Sequence, residues 1–277
     1  MRNNIKMLGV LCLLSLVLVA CGTKNDKDVT NEPEKTITTE EKKLTVAEFL
    51  DEAEKANNEV ETVHFDMDLS LQVNTNKKTQ EMRADIDYGK QGDTIQRANA
   101  LIDEVNNGQP VYQEYILPGG DGNPVYSRTS KDGAWNKQSS DGHYFIQPGY
   151  FSFLKILYSM ENDLELTESD DEYTLVLKSQ NVDLLSLFKD ELNLSITGVS
   201  QTEVNKVFEV TFDKDNYYMT GFKMTFDYEG DAGELDMDIE TEFSDWNQLD
   251  DSTFQAPDNV GSLSTVVGRW KANTWRG

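Results

Sequence analysis

The sequence predicts an α+β domain built on one large antiparallel sheet. In two long segments, Val63–Val73 and Leu235–Phe243, apolar residues alternate with polar ones. This period of two is typical of a strand with one buried and one solvated face. Both segments carry the same local pattern, Phe65-Asp-Met-Asp-Leu in one and Leu235-Asp-Met-Asp-Ile in the other. Three apolar segments have helical spacing, one ahead of the strands and two between them, and we expect them to cover the buried face.

A helix is predicted ahead of the first long strand. Thr45 and Glu48 have the spacing of a capping box, in which two side chains satisfy free backbone N–H groups of the first turn. Apolar residues then recur at helical spacing, at Val46, Phe49, Leu50 and Ala53. Asn57 and Asn58 end the helix, so its apolar stripe can pack on the sheet that follows.

Shorter alternating segments extend the predicted sheet. Asn-Gly, Asp-Gly and Gly-rich turns separate several of them, as hairpins require. The segments are 82–88, Ile95–Ile102, Val111–Leu117, Val125–Arg128, 164–167 and 173–178, followed by 208–213 and 218–228. We therefore expect a curved antiparallel sheet, a half-open barrel, with about three helices packed on its concave face.

Two further helices are predicted where the alternation stops. Gly149–Met160 is too densely apolar for a half-exposed strand and too long for a buried one. An amphipathic segment follows, with its stripe at Val182, Leu185, Phe188 and Leu192. These helices either fill the concave face as core, which is the commoner outcome, or line a cavity for an apolar ligand. The lining residues would be Tyr150, Phe151, Phe153, Leu154, Leu157, Val182, Leu185 and Phe188.

Residues 1–20 have the composition of a secretory signal peptide. Arg2 and Lys6 form a basic start, and the apolar run Met7–Ala20 follows. As a helix this run would rise only about 21 Å, less than the roughly 30 Å of a hydrocarbon core, so a permanent membrane span is not expected.

The end of this segment, Leu18-Val19-Ala20-Cys21, resembles the lipobox of bacterial lipoproteins. The resemblance implies cleavage between Ala20 and Cys21 and a diacylglyceryl thioether, with chains such as palmitate, on Cys21. The alternative is an ordinary signal peptide followed by a chance cysteine.

The rest of the chain divides by composition. Residues 21–43 begin with Cys21, contain little that is apolar and are expected to form a disordered tether. Residues 44–258 form the β domain. The tail 259–277 is expected to be disordered, although its basic and tryptophan residues could contact an anionic interface. The net charge of −25 argues against nucleic acid as a partner and against docking of the domain on anionic lipid.

The sequence lacks recognisable catalytic motifs. A nucleophile elbow, a phosphate loop and a zinc-protease motif are all missing, so we expect no enzyme activity and no cofactor, with a hydrolase built on paired acids as the remaining possibility. Asp227–Asp238 has calcium-loop character, but Ala232 stands where that loop needs glycine, which favours a hairpin. His64 and His143 lie far apart in sequence, which disfavours zinc.

The lipobox, the tether and the order of elements over about 44–258 resemble uncharacterised Gram-positive lipoproteins related to the LolA and LppX lipoprotein carriers. The resemblance implies a half-open barrel with helices in its mouth and, as in the carriers, a cavity for acyl chains. It also implies a location on the extracellular face of the cell membrane, anchored through Cys21.

Two functions are compatible with this sequence. In the first, the protein is a non-enzymatic surface lipoprotein that binds or senses an apolar ligand, such as a lipid or a lipid-linked molecule, in the half-barrel. In the second, it is a structural or interaction lipoprotein with a filled core that engages another envelope protein.

Overall fold

A computed structural model describes residues 43–140, 146–192, 203–231 and 233–261. The described part contains three α-helices: α1 (Val46–Asn57), α2 (Tyr150–Tyr158) and α3 (Leu184–Phe188). Short 3₁₀ turns lie at Gly89–Gln91, Glu161–Asp163 and Asp251–Phe254. Within these residues, none of the helices is both long enough and apolar enough to cross a membrane.

In the described part of the chain, eleven strands form one antiparallel sheet. They are β1 (Thr62–Val73), β2 (Asn76–Asp87), β3 (Arg97–Asn106), β4 (Gln109–Leu117), β5 (Pro124–Arg128), β6 (Asn136–Ser139), β7 (Leu164–Glu168), β8 (Glu172–Leu177), β9 (Asn205–Asp213), β10 (Met219–Gly230) and β11 (Gly233–Ser244). Their order is β6-β5-β4-β3-β2-β1-β11-β10-β9-β8-β7, and the edge strands β6 and β7 do not pair with each other. The predicted open antiparallel sheet with three helices is therefore confirmed.

The pairing of β1 with β11 joins two meanders into the single sheet. The two strands that share a sequence pattern are direct neighbours, with Phe65 opposite Phe243 and Leu69 opposite Ile239. Their common alternation therefore places the apolar residues of both on one face. The hairpin predicted for Asp227–Asp238 is also confirmed, because β10 and β11 pair up to Gly230 opposite Gly233.

The capping box of α1 forms as predicted. The Glu48 backbone N–H donates to Thr45 Oγ1 at 3.2 Å, and the Thr45 backbone N–H donates to Glu48 Oε2 at 3.0 Å. A cap of this type stabilises a helix by about 1 kcal/mol. The helix then buries Phe49, Leu50 and Ala53 against the sheet.

One hydrophobic core lies between the helices and one face of the sheet. Phe65, Met67 and Met82 are buried on that face, while Asp66 and Asp68 alternate with them and are exposed. The face that carries these exposed residues is called the outer face below.

The chain after β11 returns to the outer face of the first meander. Arg97 Nε pairs with Asp87 Oδ2 at 2.6 Å, its Nη1 pairs with Asp251 Oδ1 at 2.7 Å, and its guanidinium lies 4.7 Å from the centre of the buried Phe254 ring. Further on, the Trp135 backbone N–H donates to Asn259 O at 3.0 Å. Some residues beyond position 258, the predicted domain limit, therefore take part in the fold.

Several predicted elements differ in extent or fall outside the described residues. The helix predicted around the stripe Val182–Leu192 is shorter in the structure, where α3 ends at Phe188. It begins at Leu184 because Asp183 caps it, accepting a hydrogen bond from the Ser186 N–H at 3.0 Å. Strand β6, which is polar, was not predicted. The signal segment 1–20 with Ala20, Cys21 and the tether to residue 42, His143 and residues 262–277 lie outside the described residues.

A histidine on the outer face joins two carboxylates. His64 Nδ1 lies 2.7 Å from Asp85 Oδ1 and Nε2 lies 3.2 Å from Asp66 Oδ2, and Asp66 also pairs with Arg83 Nε at 3.0 Å. The hydrogen bond to Asp85 raises the pKa of His64, partly opposed by burial. The protonated ring can donate to both carboxylates at once.

We expect this histidine to stabilise the fold more at acidic pH. Because the folded pKa of His64 lies above its unfolded value, its contribution is complete below the unfolded pKa and is lost as the pH rises through the folded pKa. Urea unfolding at about pH 5.5 and about pH 8.5 measures the free energy of unfolding of wild type and of His64→Gln. The difference between the two proteins should be larger at the lower pH. When both proteins also carry Asp85→Asn, this difference in the free energy of unfolding should depend less on pH. If an NMR titration gave the His64 ring a pKa at or below its ordinary value, the result would contradict this prediction.

Candidate functional site

Helices α2 and α3 are tied to each other and together cover part of the buried face. The Gly149 backbone N–H, at the start of α2, donates to Glu191 Oε2 at 3.0 Å, and Gln147 Nε2 donates to Asp190 O at 2.7 Å. Both acceptors follow α3 directly in the chain. We call α2 and α3 together the cover, because these bonds let the two helices act as one unit.

The cover contacts the sheet through aromatic rings. Phe153 stacks on Phe222 of β10, with 4.1 Å between ring centroids and 15° between planes. Phe188 lies 5.0 Å from Phe153 and 5.7 Å from Phe208 of β9. Tyr150 meets Phe243 of β11 edge to face at 5.0 Å. The interior contacts are thus dispersive and apolar, with the offset and tilted geometries that rings prefer.

A buried asparagine holds the start of α2. Asn57 Oδ1 accepts from the Tyr150 hydroxyl, while its Nδ2 donates to Ala53 O at 2.7 Å and to Tyr217 O at 2.8 Å. The Tyr150 backbone N–H also donates to the Tyr88 hydroxyl at 3.4 Å. Burial raises the pKa of Tyr150 well above its ordinary value, so its hydroxyl stays protonated and remains a donor. Asn57 therefore links α1, α2 and the chain entering β10.

The structure brings all the predicted ligand-lining residues into one hydrophobic cluster. Most are fully or nearly fully buried: Tyr150, Phe153, Leu154, Leu157, Leu185 and Phe188. Phe151 and Val182 are half-buried and pack against the same cluster. These residues form the inner surface of the cover, and their role as a ligand lining stays a prediction.

Three buried polar side chains are not among the residues predicted from the sequence. Asp87 pairs with Arg97, and Lys206 Nζ donates to Val182 O at 2.6 Å, with burial lowering the Lys206 pKa. Thr241 of β11 is 2% exposed, and its Oγ1 has no hydrogen-bond partner among the described residues. The alternation Met237, Ile239, Thr241, Phe243 could have found it, because the period of two places Thr241 on the buried face.

The outer face carries a groove of about 610 Å³ across strands β1 to β4. Along one side run exposed carboxylates in register, Asp68 opposite Glu81 and Glu81 opposite Asp103, with Tyr112 next in the same line. We call Asp68, Glu81 and Asp103 the acidic row. Thr79, Val105 and Pro110 line the other side. Strands lie about 4.8 Å apart, so these carboxylates repel one another and would favour a cationic partner.

These features define a class of protein: an open antiparallel sheet, apolar on one face, with short aromatic helices as its cover. The chain belongs to a family of unknown function, DUF6612, whose sequence model matches residues 45–262. No curated protein matches the sequence significantly.

Solved structures with related topology come from several bacteria. LprF from Mycobacterium bovis is 12% identical, with 78% of this chain and 97% of that chain covered, at a TM-score of 0.42. The MucA/MucB complex of Pseudomonas aeruginosa gives 10% identity, 79% and 63% coverage and a TM-score of 0.27. A DUF1329 family protein from Desulfovibrio piger gives 12% identity, 77% and 98% coverage and a TM-score of 0.25. At such TM-scores these structures establish neither a ligand nor a partner for this chain.

Proposed function

We propose that the protein is a non-enzymatic lipoprotein, anchored through Cys21 on the extracellular face of a cell membrane, that binds an apolar ligand between the sheet and the cover. The observation that carries this proposal is the apolar contact between cover and sheet, centred on Phe153 and Phe222. An acyl chain offers contacts of the same kind, worth about 0.8 kcal/mol for each buried methylene. Burial of such a chain can therefore offset the cost of separating the cover from the sheet.

The polar ties of α2 support a movement of this helix, whereas the chain entering α3 stays tied to β9 by Lys206 Nζ, which donates to Val182 O at 2.6 Å. The hydrogen bonds from α2 to other parts of the chain lie at the start of the helix. There the Gly149 N–H donates to Glu191 and the Tyr150 hydroxyl donates to Asn57. Among the described residues, no backbone hydrogen bond joins α2 to a strand. The rest of α2 can separate from the sheet without breaking directional bonds of this kind, while its first turn remains attached.

Native mass spectrometry of the full chain, extracted from its own host in mild detergent, tests ligand binding. A bound lipid would add mass that denaturation removes, whereas an anchor on Cys21 would remain attached, so the two lipids are distinguished. Organic extraction would then identify the released molecule. A near-stoichiometric lipid supports the proposal, and a ligand-free mass in a protein that also rejects added lipids contradicts it.

The anchor has its own test. Cys21→Ser removes the sulfur that would carry the diacylglyceryl group, so we expect the protein in the medium or as an uncleaved precursor. Metabolic labelling with a radioactive fatty acid, followed by fractionation of cells and medium, measures both. Cys12→Ser makes the same chemical change inside the apolar run and outside the lipobox, so it serves as the matched control and should be labelled like wild type. Normal lipid labelling of the Cys21→Ser protein would contradict the assignment.

The outer groove favours a second function, the binding of a cationic segment of another envelope protein. Its acidic row repels itself in the free protein, and a lysine- or arginine-rich segment would relieve that repulsion. The double substitution Glu81→Gln and Asp103→Asn should then abolish cross-linking to that partner in intact cells. The double substitution Asp121→Asn and Asp132→Asn, which removes two exposed loop acids outside the groove, is the control for charge alone.

A further inference from the structure

Thr241 is a polar residue at the centre of the apolar face. It lies in β11, with Met67 of β1 opposite on one side and Phe222 of β10 opposite on the other. Its neighbours along the same face of β11 are Ile239 and Phe243, and all these residues are buried. Since Phe222 is the ring on which Phe153 of the cover stacks, Thr241 lies beside the main contact between sheet and cover.

Three other polar residues of the described chain are buried to a similar depth, and each has partners. Asn57 makes hydrogen bonds to α1, α2 and β10, Asp87 pairs with Arg97, and Lys206 donates to Val182 O. Thr241 Oγ1 has none among the described residues. The Tyr112 and Tyr158 hydroxyls and Trp246 Nε1 also lack a partner, but those residues are half-buried, whereas Thr241 is buried as a whole. Burying a hydroxyl without a partner is unfavourable, and valine, which has nearly the same shape, would avoid that cost. A hydroxyl at this depth is therefore a candidate donor to a partner that arrives from outside the protein.

We infer that the Thr241 hydroxyl donates a hydrogen bond to the carbonyl oxygen of an acyl ester, and that the ligand is an ester-linked lipid. This inference rests on the proposed function, because the ester must lie between the sheet and the cover to reach Thr241. A pure hydrocarbon would leave the hydroxyl unpaired, and a charged headgroup would be costly to bury among these residues. An ester carbonyl is uncharged, is flanked by methylenes and accepts a hydrogen bond.

A matched pair of lipids isolates the carbonyl. The uncharged lipid 1-lauroylglycerol has an ester, and its analogue 1-O-dodecylglycerol has an ether but no carbonyl. Binding of each to the full chain would be measured by the change in tryptophan fluorescence below the micellar concentration. We expect wild type to prefer the ester by about fivefold, the size of one net hydrogen bond. Thr241→Val should lose this preference, and Thr241→Ser, which keeps the hydroxyl, should retain it.

Two control measurements test whether any loss of the ester preference comes from the Thr241 hydroxyl itself. Thr225→Val makes the same chemical change on the outer side of β10, where Thr225 Oγ1 donates to Asp238 Oδ2 at 3.1 Å, and it should leave the ester preference unchanged. Thr241→Val should unfold at the same or a higher temperature than wild type, since the hydroxyl has no protein partner to lose. A marked fall in its melting temperature would overturn the premise that the hydroxyl is unpaired.

The outcomes separate the inference from the proposed function. If wild type binds both lipids equally, or if Thr241→Val keeps the ester preference, the inference is wrong and the ligand site itself stands. If wild type binds neither these lipids nor a co-purifying one, both the proposed function and the inference fail. Loss of the preference in Thr241→Val, with Thr241→Ser and Thr225→Val like wild type, supports the inference.

Discussion

Replacing Asn57 by alanine should lower the free energy of unfolding by about 3–5 kcal/mol. The side chain donates to Ala53 O and Tyr217 O and accepts from the Tyr150 hydroxyl and the Met219 backbone N–H. In the variant the buried Tyr150 hydroxyl and Met219 N–H lose this partner while water cannot replace it, and each orphaned group costs about 1–3 kcal/mol. Urea unfolding followed by far-UV circular dichroism measures the change.

The neighbouring asparagine supplies the control for this prediction. Asn58 is the exposed cap residue at the end of α1, and its bonds to Ala56 O and Glu54 O come from the backbone. Asn58→Ala should therefore change the stability by no more than about 0.5 kcal/mol. Equal losses in the two variants would show that helix ending, rather than the buried bonds of Asn57, determines the stability.

Replacing Phe153 by alanine should also cost about 3–5 kcal/mol, the range found for buried aromatic residues. The ring is fully buried and contacts Phe222, Phe188 and Phe208, so its removal leaves a cavity between cover and sheet. The midpoint of urea unfolding should fall with little change in the m-value, because the same surface unfolds.

Leu187 of α3 is the control residue for Phe153→Ala, because its truncation should leave no buried cavity. Leu187 belongs to the cover but is 39% exposed, so Leu187→Ala should cost less than about 1 kcal/mol. If Phe153→Ala proved as mild as Leu187→Ala, the packing of the cover on the sheet would be looser than its ring contacts indicate.

The sequence predicted the long elements well because their periodicity is strong. Strands β1 and β11 alternate over most of their length, and Thr45 with Glu48 gives a local signal for the start of α1. Short elements were predicted poorly. Strand β6 has no apolar alternation, and α3 has only five residues although the stripe Val182–Leu192 predicts a longer helix. The local sequence pattern indicates which residues are buried. A short element has too few residues to show such a pattern, and its conformation depends more on tertiary contacts.

The features that matter for function depend on residues distant in sequence. In the sequence, Asn57 has only the features of a helix end. Its buried hydrogen bonds are to Tyr150 and Met219, which are distant in sequence, so the local pattern does not reveal them. The outer groove likewise requires the register of separate strands, because its acidic row is one residue from each of β1, β2 and β3. Thr241 is the exception, since the alternation of β11 alone places its hydroxyl on the buried face.

The pairing of β1 with β11 has a consequence for how the chain folds. His64 pairs with Ser244, a separation of about 180 residues, so this contact closes a long loop and belongs to the slow, non-local class of folding events. Each meander has local contacts and can begin alone, but the edge of β1 stays unpaired until the last strand has emerged. A chain that stops short of β11 would leave that edge free beside the apolar side chains of Phe65 and Met67, ready to pair with a second chain.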